Sequence, residues 1–364
     1  MARIGVEAGS RSTRSKRRNW ARRGCALGLV SMALVCSQAA RADEGGVSFW
    51  IPGLYGSLAA TPQVPGWSVA TIYYHTSVTG GPDVAFAREV PVGRLTVNFT
   101  GNINTNLKAD ADFGFALPQY VFAQPLLGGQ AAVGLLVPVG NNRVGVDALL
   151  TGNLGLGGPG FTIGGSRTDD ATAGGDLVPL ASLRWNSGVH NWMTYVTGDI
   201  PVGFYNSTQL ANIGIGHGAI DVGGGYTYFN PQTGHEFSAV PGFTYNFTNP
   251  DTQYKNGVDM HLDWGASQFL TKQWQIGLVG YIYDQLSCDS GSGDRVGCFE
   301  SRVFGIGPQI GYIIPMGDKM RGYLNLKAYG EFDSAHRPEG FNVWLTFSIS
   351  PERPTASPSR LITK

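Results

Sequence analysis

The sequence predicts an all-β chain, a transmembrane antiparallel β-barrel of roughly 12–14 strands that follows a leader segment. Three observations carry this. Apolar and polar residues alternate with period two over segments of about ten residues or more, the length a tilted strand needs to cross a bilayer. The faces opposite the apolar ones carry charges and amides, where a two-sheet core would be apolar. Short turn-like clusters alternate with longer connections, as periplasmic turns alternate with outer loops. A soluble β-sandwich or lipocalin-like barrel is the alternative that alternation alone leaves open.

The amino terminus stands apart from the rest. Nine of the 26 Lys+Arg fall within residues 1–42, and an uncharged, largely apolar run spans 24–40. Ala40-Arg41-Ala42 then supplies an A-x-A end. Basic start, short apolar middle and small-residue end are the parts of a secretory signal peptide, with cleavage expected after Ala42. The apolar run is too short for a convincing spanning helix. Arg17-Arg18 leaves twin-arginine export as a weaker option, and bulky Val35 before Cys36 argues against a lipid anchor. Without the leader, 17 basic and 25 acidic residues remain, a formal charge of −8. That balance lacks the basic footprint of a nucleic-acid partner.

The leader also holds two of the four cysteines. The remaining pair, Cys288 and Cys298, brackets a segment rich in Gly, Ser and Asp. In an oxidising compartment this suits a disulfide, whereas zinc needs more ligands than the segment offers.

Along the mature part, residues 43–66 contain Pro52, Pro62 and Pro65, a composition suited to a segment inside the lumen or along its rim. The barrel is expected over 67–350. Residues 113–142 are uncharged but broken by Pro118, Pro125 and Pro138, so no continuous spanning helix fits there. In 236–247, Phe237, Ala239, Phe243, Tyr245 and Phe247 oppose Glu236, Ser238, Thr244 and Asn246. In 257–270, Met260, Leu262, Trp264 and Ala266 oppose Asp259, His261, Asp263 and Ser267. The same alternation recurs over 273–283, 321–332 and 341–350. Trp67, Tyr73, Tyr74, Tyr281, Tyr283, Tyr323 and Trp344 fall near the ends of apolar faces, as an aromatic girdle would. Residues 351–364 read as an exposed Pro-rich tail.

The stretch Gly45-Gly46-Val47-Ser48-Phe49-Trp50-Ile51-Pro52-Gly53-Leu54-Tyr55-Gly56-Ser57 resembles the opening of the phenol meta-pathway degradation proteins, an outer-membrane transporter-like family. Residues 67–77, 231–236, 256–267 and 339–347 are similar to it as well, so the resemblance covers nearly the whole mature chain. It implies the barrel fold and a bacterial outer-membrane location. The family name reflects association with aromatic catabolism and no catalytic motif. Such barrels usually end on an aromatic residue; here Phe347 closes the last strand and a tail follows.

The candidate site residues are lumenal. Asp259, His261 and Asp263 share one strand face, and Arg321, Lys327 and Glu331 share another, a set expected to line a pore. A metal on Asp259-x-His261-x-Asp263 is the minor alternative. His75-x-Ser77 pairs a base with a hydroxyl at the spacing of an outer-membrane phospholipase, but geometry defines such sites. The expected function is a channel for passive uptake of small, hydrophobic or aromatic molecules, with no cofactor and no catalysis. Its expected partners are outer-membrane lipid, small-molecule solutes and the barrel assembly machinery. A non-conducting adhesin or structural barrel, and then an outer-membrane hydrolase, are the other readings.

Overall fold

The computed structural model describes residues 48–81, 99–154, 160–294, 297–298 and 300–352. The predicted leader and its cleavage site lie outside the described residues, as does the tail from 353 onward.

Within them the chain forms strands only, in the order β1 (Gly66–Gly80), β2 (Phe99–Leu126), β3 (Gly129–Leu154), β4 (Gly160–Gly174), β5 (Val178–Ser187), β6 (His190–Asp199), β7 (Ala219–Phe229), β8 (His235–Asn246), β9 (Asp259–Phe269), β10 (Trp274–Gln285), β11 (Arg302–Met316), β12 (Met320–Ala335) and β13 (Glu339–Pro351). Neighbours pair antiparallel, and β1 pairs with both β2 and β13, which closes the sheet on itself. The long β3 pairs with β5 through its first half and β4 through its second. β4 and β5 therefore run end to end as one stave, broken at 175–177, and the barrel has twelve staves. Closure gives every described stave a partner on both sides except along β4, which pairs with β3 alone. Pairing matters because an exposed N–H or C=O in lipid costs several kcal/mol.

The prolines that rule out a helix fall in a hairpin. Pro118 and Pro125 lie in β2, Pro138 in β3, and a register shift lies between Val121 and Pro125. The β2–β3 turn is carried by Leu127 and Gly128, both at positive φ (52° and 74°). Most short turns, at 127–128, 188–189, 230–234, 270–273 and 317–319, lie at the end where β1 begins and β13 stops; the connections 200–218, 247–258 and 286–301 lie at the other.

Alternation sorts the side chains as expected. In β9, Asp259, His261 and Asp263 are buried while Met260, Leu262 and Trp264 are only partly covered. Phe243, Leu278, Ile310, Leu326 and Leu345 stand exposed on the outer face of their strands. An apolar outer face is what lipid requires.

The aromatic girdle differs in membership from the expected one. Trp67 and Tyr73 do face outward, at 66% and 46% exposure, but Tyr74, Tyr281, Tyr283 and Trp344 are buried inside. Their strand parity points them inward, where they join Tyr329 and Phe115 in one cluster. Tyr323 also points in and donates to Gln275. Near the short-turn end, the outer aromatics are instead Trp67 against Tyr120, Trp192 against Tyr226, and Trp274 against Tyr312.

Candidate functional site

The interior is divided by chemistry. The inward faces of β7, β8 and β9 are polar, with Asp221, Thr227, Glu236, Ser238, Thr244, Asp259, His261 and Asp263 all buried. Those of β1, β2 and β10–β13 are largely aromatic and aliphatic. Between the two halves runs the segment before β1.

This segment is irregular, so its backbone donors and acceptors have no ladder to pair with, and at membrane depth water cannot serve them cheaply. Lumenal side chains do so instead. Asp263 accepts from the Gly53 N–H at 2.9 Å and the Tyr55 N–H at 3.0 Å. Lys327 Nζ donates to the carbonyl of Gly53 at 2.6 Å and approaches those of Leu54 and Tyr55 at 3.4 and 3.2 Å. One acid and one base from β9 and β12 thus hold the same short stretch of backbone. Glu236 accepts from Leu58 N, Thr227 from Ala60 N and Gln130 from Gln63 N, while Arg184 Nη2 reaches the Ala59 carbonyl at 3.4 Å. Charges buried this deeply persist because they are hydrogen-bonded to the backbone and side chains around them.

His261 anchors the segment by a different means. Trp50 stacks on its ring with centroids 3.6 Å apart and planes at 10°. His261 Nε2 lies 3.1 Å from Asp221 Oδ2 and 3.2 Å from the Tyr195 hydroxyl. The ring is thereby fixed between a carboxylate and an indole. Gly242 makes room for this. A Cβ there would collide with the Tyr195 hydroxyl and His261 Nε2, so only glycine permits the close approach.

On the apolar side a cavity of about 320 Å³ remains between the segment and the wall. Phe49, Ile51 and Leu54 close it from the segment, and Leu107, Phe113 and Phe115 from β2. Leu210 and Ile213 fold inward from the 200–218 connection and pack with Leu107, Val144, Val146 and Ala171. That connection is tied down by Asp176, which accepts from Gly203 N and Ile215 N, each at 2.7 Å. Small-molecule sites are typically roughly 300–1,000 Å³ and mostly apolar, so the volume suits a body of one ring or a short acyl chain.

The expected site residues part company here. Asp259, His261, Asp263 and Lys327 are almost wholly buried, and only Asp263 and Lys327 meet, through the backbone they share. Asp259 takes a bond from Asn246 at 2.8 Å. Glu331 lies beside the cavity and accepts from the Tyr281 hydroxyl at 2.6 Å and Gly340 N at 2.9 Å. Arg321 sits apart, near the short-turn end, with Nε 3.5 Å from Ser350 Oγ. Asp221, Glu236, Arg184 and Trp50 were not singled out from sequence. Parity marks Asp221 and Glu236 as inward, but nothing local says what they bind.

His75 and Ser77 lie on the outer face of β1. His75 Nδ1 is 2.9 Å from Asp112 and Ser77 donates to Asp110 at 2.6 Å, so base and hydroxyl are tied to different carboxylates. Cys288 and Cys298 form the disulfide, within the 286–301 connection. The neighbouring Asp289 accepts from the Tyr254 hydroxyl, Gly257 N and Gln285. Burial raises its carboxyl pKa above the usual range, with these bonds pulling the other way.

The profile of the family described as "Putative MetA-pathway of phenol degradation" matches residues 92–347. Among solved structures, the chain is similar to the COG4313 outer membrane channel from Pseudomonas putida F1, with TM-score 0.54 and 13% identity over 80% of this chain and 98% of that one. A Pseudomonas aeruginosa FadL homologue aligns at TM-score 0.38 and 8% identity, over 79% and 90% of the two chains. The CymD monoaromatic hydrocarbon channel aligns at TM-score 0.31 and 6% identity, over 82% and 91%. No curated protein sequence matches.

Proposed function

Since the chain belongs to the phenol-degradation MetA-pathway family and is a barrel of the bacterial outer membrane, we propose that it is a channel for passive uptake of small hydrophobic or aromatic molecules. The observation that carries the proposal is the apolar cavity of about 320 Å³ inside the barrel. A solute that leaves water for this lining gains the hydrophobic transfer energy, about 25 cal/mol per Å² of apolar surface removed from water. Passage then depends on fit and lining, with no covalent step and no cofactor. In this reading Asp263, Lys327, Glu236 and Arg184 keep the lumenal segment in place, and the segment sets what fits beside it. Outer-membrane lipid and the barrel assembly machinery are the partners the reading calls for, β13 with Phe347 being the strand the machinery would meet.

The test is uptake of neutral aromatic compounds by a deletion strain carrying either the wild-type chain or Ala111→Trp. Ala111 is 6% exposed and lines the cavity, so an indole there fills it. Wild type is expected to restore uptake and Ala111→Trp to lose it while still reaching the membrane. Equal uptake with wild type and empty vector would sink the proposal. The packed lumen favours one other reading, a non-conducting structural barrel; planar-bilayer recording that shows neither conductance nor solute-dependent current would support it.

A further inference from the structure

The cavity is apolar in body but polar in places, and its charged groups are not equally occupied. Two guanidinium groups line it, Arg167 and Arg337. Arg167 is neutralised, bonding to Asp169 through Nε and Nη2 and to the Thr208 carbonyl. Arg337 is not. Its guanidinium lies over the Tyr283 ring, 4.3 Å from the centroid, and among the described residues no carboxylate lies within ion-pair distance of it. Its Nη1 has no hydrogen-bond partner among the described residues and is itself covered. The rest of the guanidinium is therefore the part that can face the cavity, and a ligand reaching Nη1 needs a small side-chain shift. A buried donor on a permanent cation is costly to leave unmade and is matched best by a carboxylate.

Asp259 is close enough to Arg337 for their charges to interact but is not within ion-pair distance, and the carboxylates that line the cavity are engaged elsewhere or set apart. Glu331 is taken by Tyr281, Gly340 and, at 3.4 Å, Asn342. Asp176 spends both oxygens on backbone N–H groups of the 200–218 connection. Asp199 also lines the cavity, and its Oδ2 has no hydrogen-bond partner among the described residues. The turn that carries Arg337 is tied to its neighbours. Ser334 N donates to Glu339 at 3.1 Å, His336 Nδ1 lies 3.0 Å from the Glu300 carbonyl, and Pro338 restricts Arg337 to extended backbone.

Building on the channel reading above, we propose that the cavity is a binding site for a small amphiphile with a single carboxylate. The apolar body rests among Phe49, Leu107, Phe113 and Phe115, and the carboxylate bonds to Arg337. Arg337 is then the specificity-determining residue: it separates acids from neutral molecules of equal length.

The probes are octanoate, 1-octanol and octylamine, titrated into the purified full-length protein at pH 8 and followed by tryptophan fluorescence. Wild type is expected to bind octanoate about tenfold to 100-fold more tightly than octanol, the range set by one charge-assisted hydrogen bond, with octylamine weakest. Arg337→Gln should remove the preference and leave octanol affinity unchanged, and Arg337→Lys should retain part of it. Heat-modifiable gel migration establishes that each variant is folded. Equal binding of acid and alcohol by wild type overturns the carboxylate site, as does a preference that survives Arg337→Gln; either leaves the channel reading standing. If Arg337→Gln fails to fold, the wild-type order decides, and octylamine binding as well as octanoate overturns the site. Failure of folded wild type to bind any of the three removes both this site and the cavity reading.

Discussion

Leu262 and Asp263 are adjacent in sequence and face opposite solvents. Leu262 lies between Pro241 and Ile282 on the outer surface, while Asp263 is 1% exposed within. Arginine at Leu262 is expected to destabilise the barrel by about 2–4 kcal/mol if the position is near the bilayer midplane, and less near an interface. Refolding into vesicles across a urea series measures this. Asp263→Asn or Lys327→Met should leave that transition nearly unmoved, because the strand ladders hold the barrel together. Either should loosen the lumenal segment, since each side chain serves backbone groups of that segment and a buried group left without its partner costs about 1–3 kcal/mol. The readout is faster protease nicking within residues 48–65, and equal nicking rates in wild type and both variants would contradict the anchoring role. The opposite orientation of the two residues was legible from period-two alternation. That the acid and lysine share one stretch of backbone was not, because 210 residues separate Gly53 from Asp263 and 274 separate it from Lys327.

Among the elements, the segment before β1 has the most to reveal. Trp50 is 3% exposed and makes ring contacts with His261, Tyr195 and Tyr55. Truncating a buried Trp to Ala costs about 3–5 kcal/mol, here charged to docking of the segment and not to barrel closure. Trp50→Ala, and more strongly deletion of 48–64, should raise single-channel conductance while heat-modifiable migration is kept. Unchanged conductance in the deletion would mean that the segment does not obstruct the lumen. The disulfide loop behaves independently. Its ten-residue separation gives a chain-entropy contribution on the order of 2–3 kcal/mol, confined to a connection outside the wall. Cys288→Ser should therefore leave the barrel folded and mainly increase amide exchange at 286–301. Loss of folding would show that the loop guides strand pairing. The cysteine pairing could be read from spacing and compartment; the inward fold of 200–218 could not, since Leu210 and Ile213 find their partners on β2, β3 and β4.

For the molecule as a whole, closure of β1 on β13 ties the two ends of the described chain together and completes the membrane-spanning wall. The β4–β5 break is the exception to regularity, and it falls where Gly174-Gly175 supply little side chain to pack. Export has to precede all of this. The change in charge density after residue 42 leads to the expectation that outer-membrane material has Asp43 as its amino terminus, as intact-mass spectrometry would read it. Full-length chain recovered from the cytoplasm would contradict both the leader and the location.

The sequence by itself determined the class of fold, the two-faced alternation of strands such as β8, β9 and β12, and the disulfide. These follow from chemistry repeated locally, since lipid demands an apolar face every second residue and an oxidising compartment pairs neighbouring thiols. Only the tertiary structure decided which lumenal charges meet, which aromatics turn inward, and that an apolar cavity with Arg337 on its lining lies beside the segment at 48–65. Barrel closure sets these, because it places residues hundreds of positions apart within hydrogen-bonding distance, and period-two alternation carries no record of the partner across the lumen.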